Sequence, residues 1–349
     1  MRRRTICHAM NFGGIGPGSF IPSLASLAAE ARRRGDRFVV LAREVPGATW
    51  PPLLTDAGAE LYVSRKRLPL YRRLWDIKPD IVHTHFSAFD IGASLFGGTR
   101  RVFWHVHSER DPSNGVDIRK LRSFIKNRLV GMRVEAFITP SHSLGRELSD
   151  WFVPDHKVRV VLNGIDTHHF RPPTPDERTS ARHTLGIQPT DRVVLFFERI
   201  PFKGGDLLRT ALQETRDLRL LVTGGPEKLR ARFSTLPNVV SISYEPDVRR
   251  LYWAADVLAF PSIKEAFGFV LLEARSCNLP VVASNIPSVR EVTAGLTGVT
   301  RLDPTDSAAF AAALSNVSTA GRPARASNDV ERLGNERWSR EIYALYDRT

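Results

Sequence analysis

The chain has 349 residues, 42% hydrophobic and 25% charged, which at roughly 150 residues per domain implies about two globular domains. Net charge is +13 and uneven: residues 1–170 hold 26 Lys and Arg against 16 Asp and Glu, the remainder 24 against 21. No apolar run approaches the roughly 18 residues of a bilayer span, and two distant cysteines, Cys7 and Cys277, exclude a disulfide framework and fit a reducing cytoplasm.

The first residues, MRRRTICHAMNFGG, have a basic head, but His8 and Asn11 interrupt a short apolar stretch, so they read as a first strand rather than a leader. TICHAM is followed by a glycine-rich turn and then SFIPSLASLAAEARRRG, which has helical spacing and a glycine stop. RFVVLA, AELYVS, DIVHTH, RVFWHVH, AFITPS and VRVVLNG follow, most with a helical segment between them. Short strands alternating with helices predict βαβ units and a parallel sheet. Residues 171–190, rich in Pro, Thr and charge, break this rhythm and read as a linker. RVVLFF, LRLLVTGG, NVVSIS, ADVLAF and PVVAS then predict a second parallel sheet. The expected fold class is α/β, with two Rossmann-like doubly wound parallel-sheet domains facing across a cleft. The domains span residues 1–170 and 191–330, and an amphipathic helix in 331–349 can pack back on either domain, the N-terminal one being the candidate. Ligands of such sheets sit beyond the carboxyl ends of strands, which is where chemistry is sought.

Three stretches stand at those ends. NFGGIGPGSF offers Gly14 and its neighbours for close backbone approach before a helix, although its spacing is not a dinucleotide fingerprint. ERIPFKGG places Arg199 and Lys203 between a strand and a helix, a fork and a point charge suited to a diphosphate. KEAFGFVLLEARSC sets Glu265 in a loop and Glu273 about two turns into the helix that follows. Free amides around Gly268 and Phe269 form an anion site between the two acids. Carboxylates accept from hydroxyls and repel phosphate, so the arrangement suits hydroxyls on both sides of a phosphate, as in a nucleotide sugar.

EAFGFVLLE resembles the Glu-x7-Glu motif of retaining glycosyltransferases of family 4, which have the GT-B fold. The resemblance extends over nearly the whole chain, through DIVHTH, RVFWHVHSE, FITPSHSLGREL, VRVVLNGIDTHHF, LRLLVTGGPEKL and YEPDVRRLYWAADVLAFPS. It implies that Glu265 contacts the donor sugar, Glu273 the ribose, and the amides of Gly268, Phe269 and Val270 the phosphate. Arg199 and Lys203 would offset charge on the leaving diphosphate, and Gly14 would approach it from the N-terminal domain. His107 would present its ring or backbone carbonyl near the reacting carbon; His105, His85 and Asn163 are further candidates. Two departures stand out: Glu198 occupies the family's usual Gly position, and the Arg199-to-Lys203 gap is one residue shorter.

No Asp-x-Asp pair occurs and His and Cys do not cluster at zinc spacing, so no metal and no cofactor are expected; the donor is a nucleoside-diphosphate sugar, UDP favoured as the commonest carrier. The expected function is retaining, metal-independent hexosyl transfer to an acceptor that is a small molecule, a glycan or lipid-linked. A nucleotide-sugar 2-epimerase is the alternative. The basic composition raises a nucleic-acid binder, but no RNA or helix-turn-helix signal supports it, so no nucleic-acid partner is expected. Arg119 to Arg133, RKLRSFIKNRLVGMR, has six cations and no acid, with Leu121, Phe124, Ile125 and Leu129 at helical spacing. Either this stripe packs on the N-terminal sheet, the favoured expectation, or the protein is cytoplasmic with peripheral contact to an anionic membrane.

Overall fold

The computed structural model describes residues 3–96, 98, 101–107, 123–215, 217–322 and 332–348. They form two compact units: Met1–Asp166 with Gly334–Thr349, and Thr167–Leu333.

The first unit holds a seven-stranded parallel sheet. Its strands are β1 (Thr5–Met10), β2 (Arg37–Arg43), β3 (Glu60–Ser64), β4 (Ile81–His85), β5 (Val102–His105), β6 (Ala136–Thr139) and β7 (Val158–Val160). Their order is β3-β2-β1-β4-β5-β6-β7. Near-continuous apolar runs form these strands because helices cover both faces. One face carries Cys7, Val39, Val82 and Trp104, packed with Leu70, Leu74 and Leu148. The other carries Ile6, Phe38, Ile81, Phe103 and Ile138 beneath the helices Phe20–Arg33 and Asn335–Tyr346. Trp338, Ile342, Tyr343 and Tyr346 of the C-terminal helix are buried there, so this helix is an integral layer of the first unit.

The second unit holds β8 (Arg192–Phe197), β9 (Leu218–Thr223), β10 (Val239–Ile242), β11 (Val257–Phe260), β12 (Val281–Ser284) and β13 (Val299–Leu302), in the order β10-β9-β8-β11-β12-β13. Every strand pair is parallel. In both units strand order reverses beside the first strand, between β1 and β4 and between β8 and β11. Each therefore has a topological switch point of the kind where doubly wound sheets hold ligands.

The segment 171–190 is not a free linker. Pro175–Thr184 is a helix opened by a capping box, in which the Thr174 side chain accepts from the Glu177 amide and the Glu177 carboxylate from the Thr174 amide. It belongs to the second unit. Arg178 and Arg182 both reach Asp256, at 2.7 and 2.8 Å, and the Trp253 indole donates to the Arg171 carbonyl. Pro and charge read as linker punctuation, whereas the proline is the first residue of a helix and the arginines are its anchors. β13, VTRL, also escaped the sequence reading; only two of its four residues are apolar.

Candidate functional site

The candidate residues fall into two groups, one in each unit. In the second unit they lie on the two loops at the β8/β11 switch point and on the helix Phe269–Ser276 that follows β11. The loop after β8 runs through Glu198, Arg199 and Lys203 to Gly204; the loop after β11 runs from Pro261 to Gly268. The two loops touch: the Ile263 amide donates to the Phe202 carbonyl at 3.0 Å. Gly204 is required here, since it has φ +78° and a Cβ on it would lie 2.0 Å from the Pro261 carbonyl oxygen. Lys203 bridges the loops, donating to Glu265 while its ammonium sits 5.4 Å from the centre of the Phe260 ring. Arg199 is exposed.

Gly268 precedes the helix Phe269–Ser276 in the left-handed region, φ +87°, with Leu271, Phe260 and Glu265 close around its Cα. The Phe269 and Val270 amides at the start of this helix have no acceptor within it and are available to an anion. One turn deeper, Glu273 is 6% exposed and accepts from the Tyr252 hydroxyl. Burial, reinforced by the Glu273 charge, pushes the Tyr252 hydroxyl well above the usual phenol range, so it stays protonated and donates. Glu265 and Glu273 thus differ in setting: the first is ion-paired in a loop, the second is buried and held by a phenol. Tyr252 was not anticipated from the sequence; its signal is the LYWA segment facing β8, which reads as core packing.

Glu198 is the departure with a physical consequence. It is fully buried, neither carboxyl oxygen has a hydrogen-bond partner, and one lies where a Cβ on Gly205 would be, only 2.0 Å away. Burial pushes its carboxyl up to about 7, against a smaller downward pull from Arg232.

In the first unit, Gly14 lies in the loop after β1, where its carbonyl accepts from the Trp50 indole at 3.0 Å. A Cβ on Gly14 would meet the Phe12 ring at 2.8 Å. Asn163 is nearly buried and its carbonyl accepts from Arg337 at 2.9 Å, a contact that ties the C-terminal helix to the unit. His107 stands just past β5, partly exposed, its ring stacked on His105 at 4.3 Å and on Phe86 at 4.5 Å. His85 Nδ1 and His107 Nε2 are 2.9 Å apart. The same sheet face also carries His8 and His83. The β1/β4 register pairs His8 with His83, and the β4/β5 register pairs His85 with His105. Five imidazoles therefore form one stack. Burial lowers His8 and His107 to about 3 and the other three well below the usual range, so all five are neutral at pH 7. Sequence spacing could not reveal this cluster, because its members come from three strands that only the sheet order brings together.

The basic segment departs from the favoured expectation. Arg119 to Arg122 lie outside the described residues. From Ser123 on, the side packed inward is small and polar, with Ser123, Asn127 and Gly131 buried. Phe124, Ile125, Leu129 and Met132 are exposed, at 40%, 47%, 56% and 69%, and Phe152 (38%) packs edge-on against Phe124. The apolar stripe thus faces outward, flanked by exposed Arg128 and Arg133. Lys126 instead turns in to pair with buried Asp90 at 2.6 Å, while the Asn127 amide donates to the Trp151 carbonyl. These polar contacts set the inward side. Among the described residues no helix is long and apolar enough to cross a membrane.

Residues 23–169 match the model of Glycosyltransferase Family 4, and residues 191–319 that of Glycosyl transferases group 1. Each model covers less than half of the chain, and the two parallel-sheet units have the GT-B fold. It is similar to the D-inositol 3-phosphate glycosyltransferase of Mycolicibacterium vanbaalenii, 29% identical over 298 residues that cover 76% of this chain and 65% of that protein. The enzyme of the same name from Mycobacterium sp. (strain KMS) is 38% identical over 144 residues, covering 37% of this chain and 32% of the relative. The matched stretches thus span about a third of the length of the strain KMS relative and under two thirds of the M. vanbaalenii one. Among solved structures, Anabaena HepE in complex with UDP and glucose superposes with a TM-score of 0.81 at 16% identity, covering 99% of this chain and 100% of that one. Sucrose-phosphate synthase of Thermosynechococcus elongatus gives 0.70 at 18% identity, covering 99% and 98%. At these identities the likeness is one of fold.

Proposed function

We propose that this chain is a retaining glycosyltransferase that moves a hexose from a nucleoside-diphosphate sugar, UDP favoured, to an acceptor hydroxyl. The observation that carries the reading is the β8/β11 switch point, where two carboxylates of different setting flank a helix N-terminus and two cations precede it. Buried Glu273, held by Tyr252, suits the ribose hydroxyls, and Glu265 the hydroxyls of the sugar. The amides of Gly268, Phe269 and Val270 donate to phosphate, and Arg199 with Lys203 offset its charge. That HepE was solved with UDP and glucose, and with UDP-glucose, supports the choice of UDP. The 2-epimerase alternative is not favoured, since both family models and the curated relatives bear glycosyltransferase names.

On this reading the bond from the anomeric carbon to the phosphate oxygen breaks and its electron pair leaves with the nucleoside diphosphate. The acceptor oxygen attacks the oxocarbenium-like carbon from the same face and its proton passes to the departing phosphate. Arg199 and Lys203 stabilise the developing charge without a metal at the diphosphate. Gly14 and the neutral His107 are assigned to the first unit's side of the reaction. The outward apolar stripe at Phe124–Met132, flanked by Arg128 and Arg133, favours an acceptor met at an anionic membrane surface, where each such cation contributes about 1 kcal/mol.

The test is turnover of a panel of nucleotide sugars with the product anomer read by NMR. A product of retained configuration is expected, and Glu265→Gln should reduce kcat. An inverted product, or epimerised donor formed without acceptor, would overturn the reading.

A further inference from the structure

The histidine stack has polar capacity that its hydrogen bonds do not use. His8 Nδ1 lies 2.9 Å from His85 Nε2, His83 Nδ1 lies 2.5 Å from the Tyr346 hydroxyl, and that hydroxyl lies 3.3 Å from His8 Nε2. Both ring nitrogens of His105, and Nε2 of His83, have no partner although they are buried. An unpaired buried polar atom is destabilising, so three in one cluster are expected only where something else uses them.

Two sets of tautomers, opposite in direction, fit these distances, and one of them suits a metal at His85. In that set His85 Nε2–H donates to His8 Nδ1, His8 Nε2–H donates to the Tyr346 oxygen, and the Tyr346 hydroxyl donates to His83 Nδ1. His85 is then left with a lone pair at Nδ1, aimed at His107 Nε2. The second ring nitrogen of a metal-bound histidine normally donates to an acceptor that fixes its tautomer, and His8 is in place to be that acceptor for His85.

We propose that His85, His105 and His107 form a binding site for a borderline divalent transition ion, zinc or cobalt(II) in type. One nitrogen from each of the three residues lies within 4.8 Å of the others. A tetrahedral zinc site with bonds of about 2.05 Å needs nitrogens about 3.4 Å apart. His105 has no hydrogen bond to break in closing that difference. Three imidazoles leave a fourth position for solvent or an anion, the donor set of an open site. His107 is only partly buried and supplies the way in. The site shares His107 with the reading above, but metal binding is measured without glycosyl transfer, so the two can fail separately.

Cobalt(II) titration of the untagged full chain tests it. We expect one equivalent to bind with the intense visible absorption of four-coordinate cobalt. His105→Leu removes only a ring without hydrogen bonds, so it should fold with an unchanged or higher Tm and bind cobalt more than about 100-fold more weakly, beyond the 10–100-fold of outer-shell changes. Replacing the exposed His142, His156 and His183 by Ala should leave the band intact. X-ray absorption of the zinc-loaded wild type should show three imidazoles, and this holds whether or not a variant folds. Fewer than two imidazoles, no four-coordinate band in folded wild type, or a band retained by His105→Leu overturns the proposal.

Discussion

Replacing Glu198 by Gln should change how the second unit responds to pH. The wild-type carboxyl has no hydrogen-bond partner, is fully buried, and is pushed up to about 7 from an ordinary 4.5. Below pH 4.5 it is protonated in both folded and unfolded chains and exerts no pH-dependent penalty. As pH rises the unfolded chain loses the proton first while the folded chain retains it, so stability is lost between about pH 4.5 and 7. The full loss is roughly 3 kcal/mol at pH 8. Gln keeps the volume above Gly205 and cannot titrate. Native-state hydrogen exchange at the amides of β8 and β9, at matched pH, reads the opening free energy of this unit in both proteins. The histidine stack in the first unit works in the opposite direction, its stabilisation being present above pH 6.5 and lost as pH falls, and it cancels in the comparison. The stability of Glu198→Gln relative to wild type should therefore rise by roughly 3 kcal/mol from pH 4.5 to 8. A difference that stays constant over that range would refute the burial argument.

Glu273→Ala should weaken nucleoside-diphosphate binding by about 1.5–3 kcal/mol, a lost charged hydrogen bond at a desolvated site; calorimetry showing unchanged affinity would remove Glu273 from the ribose. Gly268→Ala should destabilise the unit by about 1–3 kcal/mol, because φ is +87° and the new methyl would lie 3.0 Å from Leu271 Cδ1; denaturant titration measures it. Turnover should persist in excess EDTA, the diphosphate charge being met by Arg199 and Lys203; loss with EDTA and recovery with magnesium would contradict that assignment. Anionic vesicles should co-sediment the protein at low salt and release it at high salt, and Ser at Ile125, Leu129 and Met132 should reduce the bound fraction; no binding at low salt would count against membrane docking.

Most strands were legible because a parallel sheet covered on both faces requires apolar runs of four to seven residues, and TICHAM, RFVVLA, DIVHTH and RVVLFF satisfy that. The loops at the β8/β11 switch point were legible because Gly204 and Gly268 punctuate them and the acids stand out from an apolar background. What could not be read depends on three-dimensional neighbours. Tyr252 looks like core until Glu273 is found against it. His8 and His83 look like isolated polar residues until β1, β4 and β5 lie side by side. The helix Pro175–Thr184 is polar along most of its length, and what fixes it is Asp256, some 75 residues away, receiving two arginines. The segment after Arg119 has the periodicity of a packed helix, yet Asn127 and Lys126, through Trp151 and Asp90, turn its polar side inward.

The Lys203–Glu265 pair bears on how the proposed donor site works. Both side chains are largely buried, with 18% and 13% of their surface exposed, so each charge would be costly to leave unpaired. On the proposed reading a diphosphate would take Lys203 as its counter-charge, while Glu265 would turn to the hydroxyls of the sugar. Neither group would then pass from water to a dry site, because each would exchange one polar partner for another. The same exchange penalises partial ligands. A nucleoside monophosphate with no sugar would draw Lys203 away and leave Glu265 without a partner, whereas a complete nucleotide sugar would satisfy both. Donor recognition would thus be coupled across the β8 and β11 loops by this ion pair, which requires the close approach that Gly204 makes to Pro261.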